Sequence, residues 1–253
     1  MNKFLNAISV LILVNVAFFC VTFLVPGMET KMFNSLALYF PANEHFNYWQ
    51  FVTSMFMHGG YMHLLLNMYA LWAFGSPLEK MWGKNKFLYF YFIAGIGANL
   101  IYVGVNYFQF HQLYDKLLSA GISEESIQTI LKTGSYDTSI IKNISKEQLT
   151  NFYQLFATPA VGASGAIYGV LVAFGMAYPN AKLALIFFPV PIAAKYFIPI
   201  LITIDLFSGV TGFSIFGDGI AHFAHVGGAA VGFLLILLWG KKNTTPQVRE
   251  DNY

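Results

Sequence analysis

The sequence predicts an all-α membrane protein, a bundle of six transmembrane helices. Three observations carry that prediction. Hydrophobic residues make up 57% of the 253 residues and charged residues only 10%, outside the range of a water-soluble globular domain. Apolar runs long enough to cross a bilayer recur along the chain, separated by short polar connections. Lysines gather on alternate connections, as the positive-inside rule requires of a multi-span protein.

The first span is Phe4 to Val25, closed by Pro26-Gly27, and it is too long for the core of a cleaved signal peptide. From Met28 to about Tyr61, rings such as Phe33, Tyr39, Trp49 and Phe51 are scattered among polar residues, the pattern of a loop lying in the membrane interface. The second span runs from Met62 to about Leu78. A charged turn with Glu79, Lys80, Lys84 and Lys86 leads to the third, roughly Phe87 to Phe110. Residues 111 to 154 change character sharply, and this polar insertion is expected outside the cytoplasm and helical in part, with Ile127, Ile130 and Leu131 at helical spacing.

The fourth span, about Ser164 to Tyr178, is short, which is acceptable for a helix that starts below the membrane surface inside protein. Leu183 to Lys195 is interrupted by Pro189 and Pro191 and predicts an interfacial or re-entrant connection. The fifth span covers about Tyr196 to Val210. A glycine-rich loop from Thr211 to Gly219 and a sixth span from about Ile220 to Trp239 follow, and a short tail at 241–253 ends the chain. The whole of 1–253 is expected to form one membrane domain. The lysine distribution places both termini in the cytoplasm, and the absence of an arginine-rich presequence suggests a bacterial plasma membrane.

Net charge is +2, and no basic run or stacking platform suggests a nucleic-acid partner. The single cysteine, Cys20, excludes a disulfide framework and is expected to serve packing. No cofactor or metal is implied.

The stretch that organises the chain is Gly162-Ala163-Ser164-Gly165-Ala166-Ile167-Tyr168-Gly169, where polar sequence gives way to an apolar helix with a serine at its start. Ser164 reads either as a helix cap or as a nucleophile. In the sixth span, Gly228 and Gly232 form a smooth stripe with His225 beside it. Gly165, Gly169 and Ala173 form a matching stripe below Ser164. Two helices pressed together on these stripes would pair Ser164 with His225, and a serine hydroxyl becomes a useful nucleophile only with a base in reach.

Acyl transfer also needs donors for the developing oxyanion. The Ser164 amide at its helix N-terminus is one, and His63 and Asn67, four residues apart on one face of the second span, are the side-chain candidates. Tyr168, one turn after Ser164, is placed to hold the His225 ring by stacking, since no carboxylate neighbours His225 in sequence. No His-Glu-x-x-His occurs for a zinc protease. Asp205 is the sole acid inside a span, so an aspartyl dyad has no second member, and Asp205 is taken as structural.

Gly-Ala-Ser-Gly at 162–165 with Tyr168, His-x-x-x-Asn at 63–67 and Ala-His-x-x-Gly at 224–228, in that order across six spans, closely resemble the rhomboid intramembrane serine proteases. The resemblance implies Ser164 as nucleophile and His225 as general base. It makes His63, Asn67 and the Ser164 amide the oxyanion hole, with Tyr168 and Gly162 in support. It makes the fifth span and the 211–219 loop a mobile gate and cap. Transmembrane proteins within the lipid bilayer are the implied substrates, and His58 and His222 become hydrogen-bonding structural residues. Where many rhomboids carry Trp-Arg this chain has Trp49-Gln50, and the 111–154 insertion is longer than in compact bacterial members. The alternative is a non-proteolytic rhomboid-like protein that binds transmembrane helices; a transporter or channel would need a repeat or a polar pore stripe.

Overall fold

The computed structural model describes residues 6–137, 140, 144–185, 188–213 and 221–240. The 241–253 tail and most of the glycine-rich loop lie outside the described residues. The architecture is an all-α membrane bundle. Helix α1 (Ala7–Leu24) leads to α2 (Met28–Leu36), α3 (Gln50–Thr53) and a 3₁₀ turn at Ser54–Phe56. Next come α4 (Tyr61–Ala70), a π turn at Leu71–Gly75 and α5 (Ser76–Trp82), then α6 (Lys84–Ser119), α7 (Glu124–Thr133), α8 (Lys146–Ala157) and α9 (Ser164–Ala177). A hairpin of β1 (Lys182–Leu185) and β2 (Phe188–Ala193) precedes α10 (Ala194–Thr211) and α11 (His222–Trp239). Among the described residues, four helices, α1, α6, α10 and α11, are long and apolar enough to cross a membrane.

Helix α9 is the centre of the bundle. Ten of its 14 residues are buried, and it packs against α6, α10 and α11. At about 1.5 Å per residue it is shorter than a bilayer's hydrocarbon core, which is tolerable because protein, not lipid, surrounds it. Helix α1 is fastened from α5: the Glu79 carboxylate accepts from the N–H groups of Ala7 and Ile8, while the Asn6 side chain accepts from Ser9 at 2.7 Å. An acidic group at a helix N-terminus satisfies otherwise orphaned donors and opposes the positive end of the dipole. The helix begun by α4 continues to Trp82 through the π turn. Pro77 cannot donate to a carbonyl four residues back, and the helix widens just ahead of it.

The structure adds to the sequence expectations at three places. The 111–154 insertion, expected to be helical in part, opens as a continuation of α6, which runs unbroken to Ser119, and is helical again in α7 and α8; loss of hydrophobicity ends a membrane span without ending a helix. Beyond it, α7 and α8 build a second small core with Phe40, Phe110, Leu117, Ile127, Leu149 and Phe152, and the Phe110 and Phe152 rings stack at 4.7 Å. The proline-interrupted connection is an antiparallel hairpin pairing Lys182 with Ala193 and Leu183 with Ile192. A two-stranded hairpin has free edges at which a missing proline N–H costs no ladder bond.

The third concerns Gln50, which stands where many rhomboids carry an arginine. Gln50 is fully buried and is the loop's anchor. Its Oε1 accepts from Tyr39 N–H at 3.2 Å and its Nε2 donates to the His45 carbonyl at 2.7 Å. An amide both donates and accepts, so it satisfies this site without a buried charge. Replacing it with leucine strands the buried Tyr39 N–H and leaves the His45 carbonyl with Asn47 Nδ2. Gln50→Leu is expected to lower stability by about 2 kcal/mol or more, read as a fall in thermal midpoint. Phe152→Ala should cost about 3–4 kcal/mol in the second core, seen as faster amide exchange confined to residues 117–157.

Candidate functional site

The site lies where α4, α9, α10 and α11 converge. The chain reaches Ser164 through an approach pinned on both sides. Leu38 and Ala160 exchange backbone hydrogen bonds of 2.9 and 2.8 Å, and Gly162 N–H donates to the Ser54 carbonyl at 2.9 Å. Ser54 Oγ accepts in turn from Asn99 of α6 at 3.0 Å, so the segment before Ser164 is tied to the long helix. Gly162 has φ +126°, a conformation that disfavours a side chain. A Cβ there would stand 2.8 Å from His63 Nε2 and 3.5 Å from Ser164 Oγ. The missing side chain leaves an open position between those two polar atoms.

The α9–α11 seam sets the next distance. A Cβ on Gly228 would come within 1.8 Å of the Gly165 carbonyl oxygen, and one on Gly232 within 2.5 Å of Gly169 Cα. The two backbones touch directly, as the glycine stripes of the sequence require. Behind them, Gly165 and Gly169 rest on Ala98 and Ala94 of α6. Across this seam Ser164 Oγ and His225 Nε2 are 2.8 Å apart, and the Tyr168 ring stacks on His225 at 4.2 Å with 12° between planes.

Asp205 of α10 is the residue that sequence reasoning left outside the site. Its Oδ1 lies 3.1 Å from His225 Nδ1 and 2.6 Å from His222 Nδ1, and its Oδ2 accepts from the Tyr168 hydroxyl. His222 hydrogen-bonds as expected of it, but within this network. Among the described residues, Asp205, His222 and His225 also form the group of metal-type donors whose ligand atoms fall within 4.8 Å of one another. Those atoms already serve as one another's hydrogen-bond partners.

On the other side of Ser164, the Gly59 N–H donates to His63 Nδ1 at 3.4 Å. A neutral imidazole accepting at Nδ1 carries its proton on Nε2, the atom that faces Gly162. Asn67 is buried and donates from Nδ2 to the His63 carbonyl at 2.8 Å, so in this structure its amide is engaged within α4. His58 packs its ring against His63 with centroids 5.0 Å apart. Burial, with repulsion from His63 second, pushes the His58 pKa from 6.5 down to about 3. The unfolded chain therefore takes up a proton that the folded chain refuses, and stability declines as pH falls from about 6.5 towards 3.

The seam admits a direct test. Gly228→Ala must separate α9 from α11 and is expected to cost at least about 1–3 kcal/mol of stability. Gly104→Ala on α6, where nothing lies within 4 Å, should be neutral or slightly stabilising. Thermal unfolding of the two detergent-solubilised variants compares them, and equal midpoints would contradict the direct backbone contact.

Comparison with known proteins agrees with the motifs. The Rhomboid domain family matches residues 45–242. The human presenilin-associated rhomboid-like protein, mitochondrial, is 27% identical, with 96% of this chain and 52% of that protein covered. Rhomboid protein 1, mitochondrial, of Saccharomyces cerevisiae is 28% identical over 72% of this chain and 39% of its own length. Rhomboid protease AarA of Providencia stuartii is 26% identical over 76% and 56%. The chain spans about half the length of the curated relatives it matches. These relatives correct the expected bacterial plasma membrane with cytoplasmic termini, since those covering 96% of the chain are mitochondrial proteins. The expectation leaned on a missing presequence, and a chain half as long as its relatives gives that argument no footing. With a domain match over residues 45–242 and the glycine seam, Ser164 and His225 in place, this chain belongs to the rhomboid family.

Proposed function

We propose that the protein is an intramembrane serine protease, hydrolysing peptide bonds in or near the transmembrane segments of membrane proteins. The observation that carries this reading is the 2.8 Å separation of Ser164 Oγ and His225 Nε2 across the α9–α11 seam. The match to a protein named as a rhomboid protease supports it, and the mitochondrial relatives make a mitochondrial membrane the proposed setting.

In the proposed reaction His225 Nε2 takes the Ser164 proton as Oγ adds to the scissile carbonyl carbon. Tyr168, stacked on His225, keeps the ring in the plane that faces Ser164. The oxyanion forms over Gly162, within reach of His63 Nε2–H and of the Ser164 amide, which has no partner inside its own helix. Asn67 joins once its amide turns from the His63 carbonyl towards the oxyanion. His225 returns the proton to the departing amine, and water completes hydrolysis of the acyl enzyme. A helical substrate keeps its amides internally bonded, so local unwinding must come first and helix-destabilised segments are the preferred substrates.

The test is cleavage of a single-span substrate carrying small and helix-breaking residues, by detergent-solubilised wild type and by Ser164→Ala and His225→Ala, beside labelling with a fluorophosphonate. Each substitution is expected to lower kcat by about 10⁴-fold or more, and labelling should vanish in Ser164→Ala. A folded wild type that neither cleaves nor takes the label overturns the protease reading in favour of helix binding without cleavage.

A further inference from the structure

Helix α10 is the least embedded of the membrane-length helices among the described residues. Only Ala194, Ile198, Asp205 and Ser208 of its 18 residues are buried. A cavity of about 570 Å³ separates its middle from α9 and α11, lined by Val172, Gly175, Ile198, Ile202, Val226 and Ala229 among others. The helix closes on the bundle at two places. One is near Ile198, whose Cδ1 would stand 2.9 Å from a Cβ on Gly175. The other is near Gly209, which abuts Phe223 and His222. Asp205 belongs to the second contact, and it is the only acidic or basic side chain on α10 that is buried.

A carboxylate in an apolar helix needs several donors, and Asp205 has three: His222 and His225 at Oδ1 and the Tyr168 hydroxyl at Oδ2. An ionised carboxylate only accepts, so each ring nitrogen facing it donates. That assignment puts the proton of neutral His225 on Nδ1 and leaves Nε2 as an acceptor for the Ser164 hydroxyl. A general base at this position requires that tautomer, whereas a proton on Nε2 would block it.

We propose that Asp205 is the positioning residue of the Ser164–His225 pair, a third member carried into the site by α10. It fixes His225 in the Nδ1–H tautomer and stabilises the imidazolium formed during attack. When Ser164 Oγ bonds to the carbonyl carbon, the serine O–H breaks and its proton joins Nε2. Asp205 stays ionised and keeps accepting from Nδ1–H. When the C–N bond breaks, the Nε2 proton leaves with the amine. The other groups facing the carboxylate are Tyr168 of α9 and His222 of α11, and His63 of α4 is the remaining titratable neighbour of His225. Because α10 touches the bundle lightly, the helix position and the state of the base are joined at this one side chain.

The kinetic half of this proposal rests on the protease reading, so the test has a second readout that does not. Full-length wild type, Asp205→Asn and Asp205→Glu are compared for kcat and KM on the helix-destabilised substrate. The same proteins, labelled with ¹⁵N-histidine and assigned against His225→Ala, report by NMR which His225 nitrogen is protonated. The expected result for Asp205→Asn is a kcat lower by about 10²- to 10⁴-fold with KM within about threefold, and loss of the Nδ1–H signature. Asp205→Glu should recover part of both. Unchanged kcat and tautomer overturn the proposal, as does a lower kcat with the tautomer intact, which would make Asp205 a packing residue of α10. If the wild type cleaves nothing while the tautomer still depends on Asp205, the protease reading fails and the positioning of His225 stands.

Discussion

The contact on which the site depends is the backbone-to-backbone approach of α9 and α11 at Gly165–Gly228 and Gly169–Gly232. With no Cβ on either side, the helix axes come closer than side-chain packing would allow, and only then do a serine and a histidine from different helices meet at 2.8 Å. Dispersion across such a seam is weak per atom but many atoms take part. Ala94 and Ala98 of α6 back it from behind, so α9 is held from both sides.

Much of this was legible in the sequence because glycine stripes and intramembrane polar groups are rare enough to mean something individually. Gly165, Gly169, Gly228 and Gly232 announced a close helix pair, and the serine and histidine at the top of each announced what the pair brings together. Periodicity along one helix does not say which other helix it faces, and that is why Asp205 went unassigned. The signal was nonetheless there. Helices α10 and α11 are consecutive and antiparallel, Asp205 stands six residues before the end of one, and His222 and His225 open the other, so all three lie at similar depth. An acid alone in an apolar helix also calls for a partner.

Outside the site, the sequence was least informative where composition and conformation part company. The polar residues after Phe110 signalled exit from the membrane, yet α6 continues to Ser119 because hydration does not break a helix. The small core under α7 and α8 draws Phe40 from the 28–61 loop, and Asn43 donates to the Phe156 carbonyl at 3.0 Å. Loop and insertion are thereby one packed unit, although they are far apart in the chain. Gln50 carries the same lesson in small: what a buried position asks for is a set of hydrogen bonds, and an amide can supply them where a guanidinium was expected.

The seam and α10 sit at opposite ends of a scale of mutational freedom. At Gly228 the clearance to the neighbouring carbonyl is less than a single methyl group needs, so no residue with a side chain fits without moving a helix. Most of α10 is bounded by membrane or cavity, and its outer positions can exchange one apolar residue for another with little structural consequence. Change in this protein therefore has a ready channel: the surface of α10 can be retuned while the four glycines hold Ser164 Oγ and His225 Nε2 in register.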